Sequence, residues 1–192
     1  MSWRAPRTSL LLALLAVQAT AAQPPSQPPA DNEELQRIVR EDQADRAAGP
    51  DIDWAVVGPR DEARLKRTRE LYAAGELRTA ADWMRAALVF QHSGRAEDYL
   101  LAHEMTLAAL AQGETRAAWL AAATLDRFLR SIGRNQRFGT QFEPGPDGRL
   151  AVAPVDDAVT DALREAVEVP PLAEARALAE RLGGPRTPAE SR

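Results

Sequence analysis

The chain has 192 residues, with 24 lysines and arginines, 28 aspartates and glutamates, and no cysteine. The formal net charge of −4, with both signs interspersed, argues against broad binding to nucleic acids or to anionic membrane surfaces. The absence of cysteine excludes a disulfide framework and lipid attachment at an N-terminal cysteine, so that stability must come from core packing.

Residues 1–22 have the three parts of a secretory signal. Arg4 and Arg7 supply the positive start, residues 10–17 the apolar stretch, and residues 19–22 the small-residue cleavage region. This stretch is far shorter than the ~20 residues that span a bilayer, and no later segment is long enough. We therefore predict a cleaved signal peptide, export to the periplasm or the medium, and no membrane span.

The rest of the chain divides into three parts. Residues 23–30 are rich in proline and predict an extended leader, residues 31–183 a single helical domain, and residues 184–192 a disordered tail. Two of the 24 basic residues precede residue 23 and no acidic one does, so the exported chain would carry a net charge of −6.

The first two helices are predicted from their end signals. Asp31 with Glu34 resembles a capping box and opens a helix over residues 33–47, which Gly49 and Pro50 end. Pro59 is typical of a helix start and predicts a second helix over residues 60–74.

Three further helices follow, at 79–92, 97–112 and 114–132. Thr79 and Asp82 form a second capping-box pattern, and Gly113 and Gly133 are typical left-handed stops. The short glycine turns predict antiparallel neighbours. The segments that begin at Gly75 and Gly113 are also similar at an offset of 36 to 38 residues, which is typical of tetratricopeptide-like helical hairpins. An antiparallel helical bundle and a helical-hairpin array both remain open.

Residues 136–153 predict a small β-hairpin. Phe138, Thr140 and Phe142 alternate, residues 144–148 are dense in turn formers, and Leu150 and Val152 alternate again. In this strand Gly139 would leave space for a backbone or a ligand. Two more helices are predicted, from the cap at residues 156–157 to about 167 and over 172–182, so the fold class is mainly α with one hairpin.

Few residues are candidates for chemistry. The two histidines, His92 and His103, lack a partner at the i, i+4 spacing of a helical metal site, so we predict neither a metal nor a cofactor. For His103 we predict a packed position or an interhelical hydrogen bond, with catalysis as the alternative. For His92, in the last turn of its helix, we predict bonds to the free carbonyl groups, with a general-base role as the alternative.

Asp126 and Arg127 lie inside an apolar helix. As a buried ion pair they could orient a substrate or hold helices in register, and register is the better explanation. Arg127, Arg130 and Arg134 form a basic stripe that could meet an anion or, more simply, face solvent.

The most distinctive run is Gln-Arg-Phe-Gly-Thr-Gln at residues 136–141. Together with Asp42-Gln43, Gln91-His92, Asp126-Arg127, Pro154 to Asp157 and Pro170 to Leu172, it resembles a bacterial family of helical domains of unknown function. The resemblance covers about residues 33–182 and implies no activity. It implies that seven polar residues gather in one site: Asp42, Arg46, His92, Asp126, Arg127, Gln136 and Gln141. The family often has tyrosine where this chain has Phe138.

We predict a noncatalytic, exported module that binds a protein or a peptide on a helical face, with Asp42, Arg46, Gln136 and Gln141 as candidate binding residues. The alternative is a small periplasmic hydrolase. In that case His92 is the general base, Asp126 orients it, and Gln141 or Arg127 stabilises developing charge. Convergence of His92, Asp126 and Gln141 within hydrogen-bonding reach would favour the enzyme.

Overall fold

The computed structural model describes residues 28–183. The predicted signal peptide, most of the leader and the predicted tail lie outside these residues, so those predictions stay predictions.

The described chain is mainly helical. The helices are α1 (Glu33–Arg46), α2 (Trp54–Ala73), α3 (Ala80–Phe90), α4 (Ala96–Ala111), α5 (Ala117–Ser131), α6 (Asp161–Ala166) and α7 (Leu172–Leu182), and a short 3₁₀ turn spans Gly49–Asp51. Strands β1 (Phe142–Pro144) and β2 (Leu150–Val152) pair antiparallel, with Phe142 opposite Val152. The predicted fold class is confirmed. Within residues 28–183 no helix combines the length and the apolarity needed to cross a membrane.

The helix starts agree with the sequence in one case and differ in two. The Thr79–Asp82 capping box is present. The one predicted at Asp31 and Glu34 is wrong, because the Asn32 side chain caps α1 at the Leu35 amide, 2.9 Å away. The Asp31 carboxylate instead accepts bonds from Thr79 and Arg85, 2.7 and 2.8 Å away, and so ties the start of α1 to α3.

The second helix begins earlier than predicted. Asp53 caps α2, whose first residue is Trp54, so Pro59 lies inside the helix instead of just before it. Pro59 is the sixth residue of α2, beyond the first turn whose amide groups have no intrahelical partner, so it removes one i→i−4 hydrogen bond from the helix.

The core is built from small and medium side chains around α3. That helix packs against α1, α2 and α4, and α4 packs against α5. Its Ala86, Ala87 and Phe90 are fully buried, together with Leu35 of α1 and Ala102 of α4. Alanines at these contacts allow the helix backbones to approach closely, and the end of α3 lies beside the polar residues of α1.

The predicted hairpin is shorter than expected. Residues 136–141 form a loop and not a strand, so their predicted alternation of faces is wrong. Gly139 has φ +85°, and a Cβ atom there would lie 3.0 Å from the Leu172 side chain at the start of α7. The space that the sequence assigned to a backbone or a ligand is thus occupied by Leu172.

We expect Gly139→Ala to destabilise the domain by about 1–3 kcal/mol, since alanine strains the left-handed backbone and must also displace Leu172. The matched control is Gly133→Ala, because Gly133 has φ +74° and no atom within 4 Å of an added Cβ. Denaturant unfolding of both variants separates backbone strain from the Leu172 contact. Equal losses would contradict a packing role for Gly139.

Candidate functional site

One polar cluster joins α1 to the end of α3. We call Asp42, Gln43, Arg46 and His92 the Asp42 cluster. The Asp42 side chain is 1% exposed, and its Oδ1 lies 2.8 Å from Arg46 Nη1 and 3.0 Å from His92 Nδ1. Gln43 donates to Oδ2 at 2.8 Å. Because an ionised carboxylate only accepts hydrogen bonds, Nδ1 of His92 carries the proton in this contact.

The electrostatics of Asp42 favour its charged form. Burial raises the pKa of Asp42, but the hydrogen bond and the charge of His92, the charge of Arg46 and the bond from Gln43 together hold it below the ordinary value of 3.8. The prediction that His92 bonds the free carbonyl groups of its helix is wrong, since α3 ends at Phe90 and the imidazole turns to Asp42.

Arg46 extends the cluster to α2. Its Nη2 lies 2.6 Å from Asp61 Oδ2, and Arg64, which also contacts Asp61 at 3.0 Å, pairs with Asp45 of α1. The Arg46 guanidinium is therefore held between two carboxylates. Its charge is compensated within the domain, and this network holds α1 against α2.

A second polar network organises the loop at residues 136–141, here the Asp126 loop. Oδ1 of Asp126 accepts from the Arg137 and Phe138 amides at 2.7 and 3.0 Å. Oδ2 accepts from the Thr140 amide at 3.1 Å and the Thr140 hydroxyl at 2.8 Å. One wholly buried carboxylate thus draws three backbone amides around itself, which explains why the segment curls instead of extending.

The first and last residues of this loop complete it. Gln136, fully buried, donates to the carbonyl oxygens of Gln141 at 2.9 Å and Ala153 at 2.8 Å and accepts from the Gln141 amide at 2.8 Å. Arg164 of α6, only 3% exposed, donates to the Phe138 carbonyl oxygen at 3.1 Å. The sequence does not indicate Arg164, because one arginine on a short helix has no distinctive pattern.

Arg127 belongs to neither network. It lines an open polar pocket of about 340 Å³, the Arg127 pocket, whose other polar lining residues are Tyr99, Arg130, Ser131, Gln141 and Glu143. The predicted Asp126–Arg127 pair is wrong, since Asp126 holds the loop amides while Arg127 interacts with Tyr99. Arg130 of the predicted basic stripe pairs with Glu143, and Arg137, which lies outside that stripe, pairs with Asp156 at 3.0 Å.

The seven residues expected in one site divide into two networks and a pocket. Asp42, Arg46 and His92 come together, and Asp126, Gln136 and Gln141 come together elsewhere. The carboxylate beside His92 is Asp42 and not Asp126. Arg127 lies near both networks, because it shares its pocket with Gln141 of one network and is repelled by the charge of Arg46 in the other.

An apolar groove lies on the far side of the Asp126 loop, between α5 and α7. This α5–α7 groove, of about 210 Å³, is lined by Trp119, Thr140, Phe142, Val169, Ala175 and Leu178, with Glu174 and Arg181 at its rim. Trp119 is 43% and Leu178 38% exposed. The sequence does not indicate the groove, because the local sequence pattern does not show whether the tryptophan of an alanine-rich helix faces outward.

The remaining candidates have structural partners. His103 Nδ1 lies 2.9 Å from the Ala121 carbonyl oxygen, which confirms the predicted interhelical bond between α4 and α5. Among residues 28–183 no group of three or more histidine, aspartate or glutamate side chains is arranged to hold a metal ion.

The fold and the site define a mainly α-helical domain with a small hairpin, two buried polar networks and two surface concavities. Comparison with family models, with curated proteins and with solved structures found no match. The resemblance to a bacterial helical family and the tetratricopeptide-like period therefore stay predictions.

Proposed function

We propose that this chain is a noncatalytic binding module that takes up a segment of a protein or peptide in the α5–α7 groove. The observation that supports this most directly is the exposure of Trp119 and Leu178 in one concavity with Phe142. Single exposed apolar side chains are common, but a concave apolar patch with charged residues at its rim is typical of a binding surface.

The dimensions and side chains of the groove suit one large apolar side chain of a ligand. A volume of about 210 Å³ is close to that of a single aromatic residue and smaller than most small-molecule sites. Trp119 and Phe142 offer large contact areas and lose little conformational entropy when they are covered.

The charged residues at the rim of the groove indicate which residues flank the apolar side chain of the ligand. Glu174 and Arg181 lie seven residues apart on α7, which is about 10 Å along the helix. Among residues 28–183 neither has an ion-pair partner within 4.0 Å. An extended peptide covers this distance in about three residues. The occupant that fits is a segment with a basic and an acidic residue on either side of one large apolar residue.

We expect Trp119→Ala to weaken the binding of such a segment by about 10- to 30-fold, because tryptophan in the middle of an interface contributes a large share of the binding energy. The probes are fluorescein-labelled synthetic peptides with arginine and glutamate three positions apart around a tryptophan, and the readout is fluorescence anisotropy. The matched control is Leu107→Ala on α4, since Leu107 is 50% exposed and does not line the groove.

Three outcomes would contradict the proposal. Peptides of this class do not bind, or peptides with glutamine in place of both charged residues bind equally well, or Trp119→Ala binds like the wild type. Sedimentation that shows a dimer dissociated by Trp119→Ala would assign the groove to a second copy of this chain instead.

A hydrolase is the second candidate, and the His92–Asp42 contact favours it. A carboxylate that binds Nδ1 of an imidazole leaves Nε2 to act as a base, which is the arrangement of many general-base sites. For this function we expect His92 to contribute little to folding, since residues kept for catalysis commonly cost stability.

A further inference from the structure

The Arg127 guanidinium is partly buried without a counter-charge. Among residues 28–183 no carboxylate lies within 4.0 Å of it, and its Nε atom is buried with no hydrogen-bond partner. A charged group withdrawn from water is costly unless it is paired and fully hydrogen-bonded. Arg127 is therefore an uncompensated cation at the wall of a pocket.

Other arginines near this pocket have partners. Arg130 pairs with Glu143, and Arg46 is held by Asp42 and Asp61. The carboxylates nearest to the pocket are thus already committed to other cations. Nothing in the described part of the chain neutralises Arg127, so the compensating charge has to come from outside it.

The surroundings of Arg127 agree with this. Burial lowers the pKa of Arg127 from its ordinary value, the Tyr99 side chain partly opposes that shift, and repulsion by Arg46 adds to it. An anion in the pocket would relieve both the burial cost and the repulsion.

We propose that the Arg127 pocket is a binding site for an oxyanion, a carboxylate or a phosphate, held by the guanidinium. The planar guanidinium presents parallel N–H groups that match either anion in a bidentate fashion. The Tyr99 hydroxyl and the Gln141 amide also line the pocket and can donate to the same oxygens. Its volume of about 340 Å³ admits a small molecule or the acidic end of a larger one.

This site is distinct from the α5–α7 groove. The two concavities share only Phe142 among their lining residues, and the residues that would hold the anion do not line the groove. Anion binding at Arg127 therefore stands or fails separately from peptide binding at Trp119.

The test is thermal unfolding of the chain in acetate, in phosphate and in chloride at equal ionic strength. A specific anion at ten times its Kd is expected to raise the midpoint by about 3–6 °C over chloride. A larger response to acetate would identify a carboxylate as the ligand, and a larger response to phosphate would identify a phosphate.

Arg127→Met is the decisive variant. Because it removes an unpaired, desolvated charge, we expect it to melt at or above the wild type in chloride and to lose the response to acetate and phosphate. Arg95→Met is the matched control, since the Arg95 side chain is 69% exposed and lies outside the pocket; it should keep the full response.

The proposal is overturned if neither anion raises the midpoint over chloride, or if Arg127→Met responds as the wild type does. It is also overturned if Arg127→Met melts well below Arg95→Met in chloride, because Arg127 would then be a structural residue with an effective partner in the fold.

Discussion

Replacing Asp126 by alanine is expected to destabilise this domain by about 3–5 kcal/mol, the largest effect of any single substitution considered. The carboxylate accepts hydrogen bonds from the amides of Arg137, Phe138 and Thr140 and from the Thr140 hydroxyl. Each buried donor left without a partner costs about 1–3 kcal/mol, and three amides lose theirs together.

The measurement is thermal unfolding, with Asp157→Ala as the control because Asp157 is an exposed aspartate. At this chain length 1 kcal/mol moves the midpoint by about 2–4 °C, so Asp126→Ala should melt about 6–20 °C below the wild type. Asp126→Asn keeps one acceptor oxygen and should fall between the two. Hydrogen exchange gives a local readout, since the amides of residues 137, 138 and 140 should lose their protection.

A midpoint for Asp126→Ala equal to that of Asp157→Ala would show that the loop does not depend on this carboxylate. A midpoint above that of the wild type would indicate that stability is given up for function at Asp126.

The second large effect concerns Asp42. Asp42→Ala should lower the free energy of unfolding by about 3 kcal/mol. It leaves His92 without its carboxylate partner and removes one of the two carboxylates that hold Arg46. Glu41→Gln is the matched control on the same helix, since the Glu41 side chain is 49% exposed and its ion pair in the described chain is with the exposed Arg37.

The same residue predicts a dependence on pH. Burial raises the folded-state pKa of Asp42, but the hydrogen bond and the charge of His92, together with Arg46 and Gln43, outweigh burial and hold this pKa below 3.8. The stabilising contribution of Asp42 is therefore fully present above pH 3.8. It is lost as the pH falls through the lowered folded-state pKa. Asp42→Asn should therefore lose less stability than the wild type on acidification through this range, as measured by denaturant unfolding.

His92→Ala separates the two candidate functions. If the His92–Asp42 contact is structural, the variant should melt several degrees below Glu41→Gln, which agrees with a noncatalytic binding module. If it melts at or above the wild type, the imidazole is not needed for folding, and a search for hydrolase substrates around the Asp42 cluster is the next step.

The sequence by itself determined the class of fold and the positions of most helices, because these depend on residues only a few positions apart. The Thr79–Asp82 box spans three residues and starts α3 as predicted. Gly113 and Gly133 follow α4 and α5 with positive φ, as expected of left-handed stops. Residues 145–148 of the predicted turn also lie between β1 and β2, although Pro144 belongs to β1 and the first strand is shorter than predicted.

The tertiary structure decided the contacts between residues far apart in the chain. The alternation in residues 136–141 predicts a strand, but Asp126, eleven residues before Arg137, offers hydrogen bonds that an isolated strand cannot make, and the backbone curls around it. Asp31 does not cap its own helix, because its carboxylate accepts a hydrogen bond from Thr79, 48 residues away. His92 meets Asp42, 50 residues away, instead of Asp126.

The polar residues of the candidate site could thus be named from the sequence, but their partners could not. A charged side chain does not show locally whether it will be paired, and an alanine-rich helix does not show which of its large residues faces outward. The compensated charge of Arg46, the uncompensated charge of Arg127 and the exposure of Trp119 all arise from packing, because burial and pairing are properties of the folded chain and not of short segments of it.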